Sequence, residues 1–423
     1  ILRNCSVYVE DGRIVEIGGK ITCEADRVLN CEKKVLMPGL INTHTHLSMT
    51  LFRGYADDMP LQEWLTTKIW PLESKLTGQL CYQGALLGCL EMIRTGTTCF
   101  LDMYYFLENI VEAVKKTGIR AFLSHAIIDL FDAGSRDKHQ KATQESINFI
   151  ETLGDPKIGF AIAPHAPYTC SEESLLWARE VAERENALIH IHIAEMRREQ
   201  AEFEKKHGLR EVEYLDKIGF LCSRVVSAHS VWLTKREVQL LGEKGVKVSH
   251  CPVSNMKLAL GGVAPLPEMF ESKVTVSLGT DGAASNNCLD MFDTMKFCAL
   301  LHKAHRWDPT VLPAQKVLDL ATVEGAKALG IEERVGSIEE GKDADLILID
   351  LKSPNLMPIH GKDTIVSDIG YSAKGLNVTT SVINGQILME HGVFQMLDEE
   401  EIYRAVEKAA LDFTEHPKYS SGG

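Results

Sequence analysis

The chain has 423 residues, 45% of them apolar and 25% charged, which is the balance of a soluble globular protein, and no apolar run is long enough to span a bilayer. Its net charge of −14 argues against nucleic acid or an anionic membrane surface as the main partner. The 11 cysteines are odd in number and lack paired spacing, so a disulfide framework is not expected and a reducing cytoplasm is. Cys89, Cys99 and Cys298 sit in apolar runs and read as small core residues. The sequence opens at Ile1 and is strand-like by Val7, so a few leading residues are expected before it, and no signal peptide is seen.

Residues 6–9, 13–17 and 27–29 are short β-like runs separated by turns, which predicts a small antiparallel sheet. At Pro38 the pattern becomes strand, helix, strand. The first strand leads into His44 and His46. A helix containing Trp64 is expected to stop before Pro71, and another runs from Thr77 to a Gly96 cap. Strands follow at 97–102, 120–127, 157–164, 187–194, 225–229, 246–250 and 274–280. The intervening helices are expected at 110–116, 142–153, 171–186, 197–218, 234–245 and 265–270, and two more at 289–305 and 313–329. Thr234 with Glu237 is a capping box. The strands are nearly continuous in Val, Ile, Leu and Ala, as buried parallel strands are.

Roughly eight such units in about 290 residues predict an α/β fold, a (β/α)8 TIM barrel. A doubly wound sheet is less well supported, because no Gly-rich fingerprint follows any strand. Past residue 333 the short β runs return (336–338, 345–349, 380–383), with a turn at Asn384 and Gly385. The expected division is a catalytic barrel over 38–332, a small β-sandwich domain built from 1–37 and 333–395, and a C-terminal helix and frayed tail over 396–423.

In such a barrel functional side chains gather at the C-terminal ends of the strands. Reading only those ends collects His44, His46, Asp102, His125, His165, His192 with Glu195, His229, His250 and Asp281. His44 and His46 share a face by the period of two, and two imidazoles there suit half of a metal site. His190 and His192 also share a face; His192 lies nearer the strand end and is the better ligand candidate, with His190 a barrel-layer residue. Asp281, after Leu278, Gly279 and Thr280, could bind a cation or take a proton from a water. Three histidines and an aspartate describe a catalytic rather than a closed structural zinc site. Glu195 would sit just beyond the metal, placed to be a general acid. His229 could ligate the ion or hydrogen-bond the hydroxide. The fourth strand ends in His165, and its one lysine, Lys157, is at the wrong end to bridge two metals, so one ion is expected.

The run Pro38, Gly39, Leu40, Ile41, Asn42, Thr43, His44, Thr45, His46 resembles the first-strand signature of the amidohydrolase superfamily. Met49 to Gly54, Glu63 to Leu65, Pro164 to Tyr168, His192 with Glu195, Ser227 to His229 and Leu278 to Asn287 narrow the likeness. They are similar to the 5′-methylthioadenosine/S-adenosylhomocysteine deaminases and the related 5′-deoxyadenosine deaminases. The likeness covers essentially the whole chain. It implies one divalent ion per subunit, zinc first among candidates, held by His44, His46, His192 and Asp281. It implies that His229 holds the hydroxide, Glu195 protonates purine N1 and Asp281 takes the water proton, so that an adenine ring becomes hypoxanthine with loss of ammonia. Glu73 matches a ribose-hydroxyl ligand, His165 a nucleoside contact, and Trp64 a wall near the 5′ substituent. Arg136 stands where an arginine gripping the carboxylate of S-adenosylhomocysteine could be, in a loop, but the companion position is His125. 5′-Deoxyadenosine, methylthioadenosine or adenosine is therefore expected to be turned over better than S-adenosylhomocysteine. A guanine deaminase, a triazine chlorohydrolase and a non-catalytic scaffold are the competing readings. A small nucleoside and water are the expected partners, with no nucleic acid and no membrane, and a homo-oligomer is expected from the family.

Overall fold

The computed structural model describes residues 1–361 and 364–414. Eight parallel strands stand side by side in chain order: Leu40–Thr45, Thr97–Asp102, Arg120–Leu123, Ile158–Pro164, Leu188–Ile193, Val225–His229, Lys247–His250 and Thr275–Leu278. Each is followed by helical chain on the outside, so their apolar side chains are buried on both faces. This is the (β/α)8 barrel expected from the sequence.

No backbone ladder joins the last strand to the first. Polar side chains and a single backbone bond close that seam instead. Asn42 accepts from the Thr280 N–H at 3.0 Å and donates to Thr280 Oγ1 at 2.7 Å. Thr43 Oγ1 donates to the Leu278 carbonyl at 3.0 Å, and the Asp281 N–H donates to the His44 carbonyl at 3.0 Å. The first and eighth strands approach closely because Gly279 has no side chain; a Cβ there would lie 2.7 Å from the Cβ of His44.

Both chain ends supply a small antiparallel sheet in the order Val393–Phe394, Gln386–Glu390, Val378–Ile383, Leu346–Asp350, Lys34–Pro38. A ribbon of Ser6–Glu10 and Arg13–Gly18 packs on it through Ile14, Val7 and Val9 against Leu346 and Val382. Arg120, at the start of the third barrel strand, pairs with Asp343 at 3.0 Å and Asp345 at 2.8 Å, tying the barrel floor to this sheet. Among the described residues no helix is long and apolar enough to cross a membrane.

Several elements differ from the expectations above. Residues 27–29 and 336–338 form no strand; Gly336 turns the chain at φ +93, and Lys34–Pro38 takes the place beside Leu346–Asp350. The helix at Trp64 does not stop before Pro71. A π turn, Leu65–Ile69, lets the Trp70 N–H reach the Leu65 carbonyl, and the widened turn carries the chain past the proline to Glu73. The third strand breaks at Ser124, whose hydroxyl donates to the Asp102 carbonyl at 2.5 Å, and resumes as Ala126–Ile127.

The helix expected at 142–153 begins at Ala133, because Asp132 caps it by accepting from the Ser135 N–H at 2.7 Å. The helix expected at 197–218 is two, Arg197–His207 and Glu211–Lys217, divided by Gly208 at φ +71. The stretch 313–329 is likewise two helices, Ala314–Leu320 and Val323–Leu329, and Pro252–Lys257 is a helix the pattern did not suggest. The last helix is Glu399–Thr414; the frayed tail read over 420–423 lies outside the described residues.

Candidate active site

Four imidazoles converge at the C-terminal ends of the first, fifth and sixth strands. Each has its Nδ1 engaged by an acceptor. His46 Nδ1 donates to the Met103 carbonyl at 2.7 Å, His192 Nδ1 to the His165 carbonyl at 2.6 Å, and His229 Nδ1 to Asn255 Oδ1 at 2.9 Å. His44 Nδ1 lies 2.8 Å from His190 Nε2. With Nδ1 as the protonated nitrogen, every Nε2 carries a lone pair.

Those lone pairs face one another and a carboxylate. Asp281 Oδ1 stands 3.4 Å from Nε2 of His44 and 3.4 Å from Nε2 of His46. Ligand atoms of His44, His46 and His192 lie within 4.8 Å of one another, as do those of His44, His229 and Asp281. Burial holds the His44 ring down to about 4, so it stays neutral. Its Nε2 is buried and unpartnered, a lone pair opposite an anionic oxygen with no proton between them. A cation of the borderline class bound by nitrogen and oxygen donors fits there. His44, His46, His192 and Asp281 could hold it, with His229 alongside.

The strands present these groups through left-handed turns at non-glycine residues: Ala194 at φ +55, His229 at +68 and Asp281 at +64. Such residues cost free energy that the surroundings must offset, and they concentrate at functional sites. The Gly282 N–H donates to Asp281 Oδ1 at 2.7 Å and helps fix its carboxylate.

Glu195 is 6% exposed, and its Oε1 lies 3.7 Å from His229 Nε2. Burial raises its carboxyl above the ordinary range, against the opposing pull of His229, which is the direction a general acid needs. An open cavity is lined by His46, His165, His192, Glu195, His229 and Asp281, and also by Glu73 and Trp64. Tyr104 donates to Glu73 Oε1 at 2.9 Å, and burial pushes the Glu73 carboxyl up to about 7. His165 is driven down to about 3 by burial beside the other histidines; its Nδ1 lies 3.0 Å from Thr169 Oγ1. Trp64 is held by its Nε1 donating to the Ala56 carbonyl at 2.8 Å.

Not every strand-end residue reaches this cavity. Asp102 is fully buried and accepts from the Leu47 N–H at 2.7 Å, anchoring the peptide after His46. His125 turns to His139, ring nitrogens 3.0 Å apart. His250 turns outward to His302, Nε2 to Nε2 at 3.2 Å, with Cys298 beside them in a buried group. Arg136 sits on the first turn of the helix Ala133–Leu153, not in a loop, 3.7 Å from Glu173, and it does not line the cavity. Sequence reasoning missed Tyr104, Asn255 and the carbonyls of Met103 and His165. Tyr104 stands two residues past the second strand's end and could have been collected with the others; Asn255 lies in the unsuspected helix and had no such signal.

A barrel with imidazoles and a carboxylate at its strand ends defines a metal-dependent barrel hydrolase. Residues 35–388 match the family model of the amidohydrolase family, and the chain belongs to that family. It is 46% identical over 414 residues to a 5′-deoxyadenosine deaminase of Methanothermobacter thermautotrophicus, covering 98% of this chain and 96% of that one. It is 46% identical over 383 residues to a 5-methylthioadenosine/S-adenosylhomocysteine deaminase of Thermococcus sibiricus, covering 90% and 89%. A zinc-bound adenosine deaminase structure from Xanthomonas campestris superposes with a TM-score of 0.93 at 35% identity, covering 98% of this chain and 95% of that one.

Proposed function

We propose that this protein hydrolytically deaminates the adenine ring of adenosines altered at the 5′ position, giving the inosine analogue and ammonia. The observation that carries the reading is one cavity that holds both a nitrogen–oxygen ligand set and the buried carboxyl of Glu195 beside His229. The names of the relatives, all deaminases of adenosine-type nucleosides, support the substrate class.

His44, His46, His192 and Asp281 would hold the divalent ion, zinc being the one bound in the similar adenosine deaminase. When bound, that ion supplies Lewis-acid activation of a water near neutral pH. Glu195 donates its proton to purine N1, which makes C6 electrophilic. Asp281 accepts a proton from the attacking water through its carboxylate oxygen. His229 Nε2 hydrogen-bonds the attacking oxygen, its other nitrogen being held by Asn255. The proton taken up by Asp281 then goes to the amine, which leaves as ammonia; the C6 hydroxyl gives up its remaining proton, which restores Glu195, and C6 keeps the water oxygen as a carbonyl. Glu73, steadied by Tyr104, takes the ribose hydroxyls, His165 contacts the nucleoside, and Trp64 walls the 5′ side.

The 5′ group that this pocket prefers is small. His125, held neutral at about 4 by burial, is no cation for a substrate carboxylate, and Arg136 is engaged with Glu173 outside the cavity. This supports 5′-deoxyadenosine, methylthioadenosine or adenosine over S-adenosylhomocysteine. The reading takes the barrel over 38–332 as the catalytic unit and the two chain-end segments, 1–37 and 333–395, as a separate small domain. It also expects a homo-oligomer in a reducing cytoplasm; 11 free cysteines and the exposed Leu130, Phe131 and Trp307 support this. Incubation of 5′-deoxyadenosine with the zinc-loaded protein in heavy-oxygen water tests the reaction: the label should enter the 6-oxo group as ammonia is released, and unlabelled or unchanged nucleoside would refute it.

A further inference from the structure

Glu195 is flanked by two peptide N–H groups, and each is held by a buried carboxyl from outside its own strand. The Ala194 N–H donates to Glu211 Oε2 at 2.8 Å, and the Met196 N–H donates to Glu199 Oε2 at 3.2 Å. Glu211 opens the helix Glu211–Lys217 and Glu199 lies in the first turn of Arg197–His207. The turn at Gly208 folds the second helix back and brings the two carboxyls together. The Ala194 carbonyl is gripped as well, by the N–H groups of Val231 at 3.0 Å and Trp232 at 2.9 Å. Ala194 is thereby kept in the left-handed conformation that precedes Glu195.

A glutamate at the position of Glu199 is often a plain cap, reaching back to the N–H before its helix. Capping glutamates are ordinarily solvated, whereas Glu199 is 6% exposed and Glu211 is fully buried. The remaining oxygen of each, Oε1, has no donor of its own; the two carboxyls interact directly, and the buried side chain of Gln200 lies beside Glu211. Among the described residues neither has a cationic partner. Two buried carboxylates in contact, with two backbone donors, one neutral amide and no cation, cannot both be ionised at moderate cost.

We infer that Glu199 and Glu211 share one proton and through it clamp the two peptides on either side of Glu195 as a single unit, making them positioning residues for the proton donor. One carboxylic O–H donates to the other carboxylate, and each residue keeps its second oxygen for a backbone N–H. This rests on the reading of Glu195 above; neither residue touches substrate.

The shared proton makes an unusual demand. A single amide can replace either acid, because its NH2 donates to the remaining carboxylate while its oxygen accepts the backbone N–H. Two amides cannot, because two NH2 groups then face each other and one backbone bond is lost. Glu199→Gln and Glu211→Gln are therefore expected to keep kcat within a few-fold. The double variant should lose about a hundredfold in kcat, the scale of an ångström of misplacement, with KM and metal content unchanged. Hydrogen exchange of the Ala194 and Met196 amides should accelerate in the double variant and not in the singles. The infrared difference between wild type and Glu199→Gln should show the loss of one carboxylic-acid C=O band at neutral pH. Equal kcat in the single and double variants, or no band lost, would overturn the inference. Should wild type prove inactive on every nucleoside, the proposed function fails, while the exchange rates and the infrared band still decide this clamp.

Discussion

His190 Nε2 lies 2.8 Å from Nδ1 of His44, and both rings are completely buried. The contact decides which nitrogen of His44 is free. Held neutral by burial, His190 accepts the Nδ1 proton of His44 and leaves Nε2 as the lone pair aimed at Asp281. His190→Ala removes that acceptor without removing a ligand. Metal affinity should fall by about 10–100-fold, the usual effect of losing a partner of a ligating histidine. Competition with a chelator measures it, and unchanged affinity would show that His44 is oriented by the barrel alone.

Glu195→Gln should keep the metal and lose catalysis. The carboxamide fills the same space but has no proton to give to N1, and general acid catalysis contributes about 10²–10⁴-fold. Metal analysis and steady-state rates on one preparation separate the two effects. A variant keeping more than about a tenth of wild-type kcat would mean that another group is the proton donor.

His192→Ala should lower metal occupancy together with activity, since it deletes one of the converging Nε2 atoms. A full ion per chain in that variant would shift the third nitrogen ligand to His229, whose Nε2 faces the same centre; His190 is already committed to His44.

Glu73 makes a pH prediction. Its carboxyl is raised by burial from 4.5 to about 7 in the folded protein. The stability associated with its neutral form is complete below about 4.5 and is lost as pH rises through 7. The difference is on the order of 3 kcal/mol. Glu73→Gln should flatten the fall of Tm across that interval, measured without nucleoside. An unaltered slope would mean that Glu73 is ionised in the folded state.

The barrel was legible because its strands are continuous apolar runs, and the convergence of the candidate ligands because they end two of those runs and follow a third. What strand-end position does not tell is which way a side chain turns. Asp102, His125 and His250 end strands too, yet they face a backbone amide, His139 and His302. Long-range closure was invisible as well. Asn42 and Thr43 are polar in a buried strand because they bond the eighth strand more than two hundred residues away. A single glycine was decisive elsewhere. Gly208 breaks what reads as one charged helix, and without that break Glu211 would not return beneath Ala194.

The most direct test of the account is ammonia release by zinc-loaded protein from adenosine, 5′-deoxyadenosine, methylthioadenosine, S-adenosylhomocysteine, adenine, guanine and cytosine. The account predicts release from the nucleosides and not from the free bases, with kcat/KM for S-adenosylhomocysteine below the other three nucleosides. Release from a free base alone, or from none of the panel, would contradict the assignment of Glu73, Trp64 and His165 to a ribonucleoside pocket; a highest kcat/KM for S-adenosylhomocysteine would contradict the reading of His125 and Arg136.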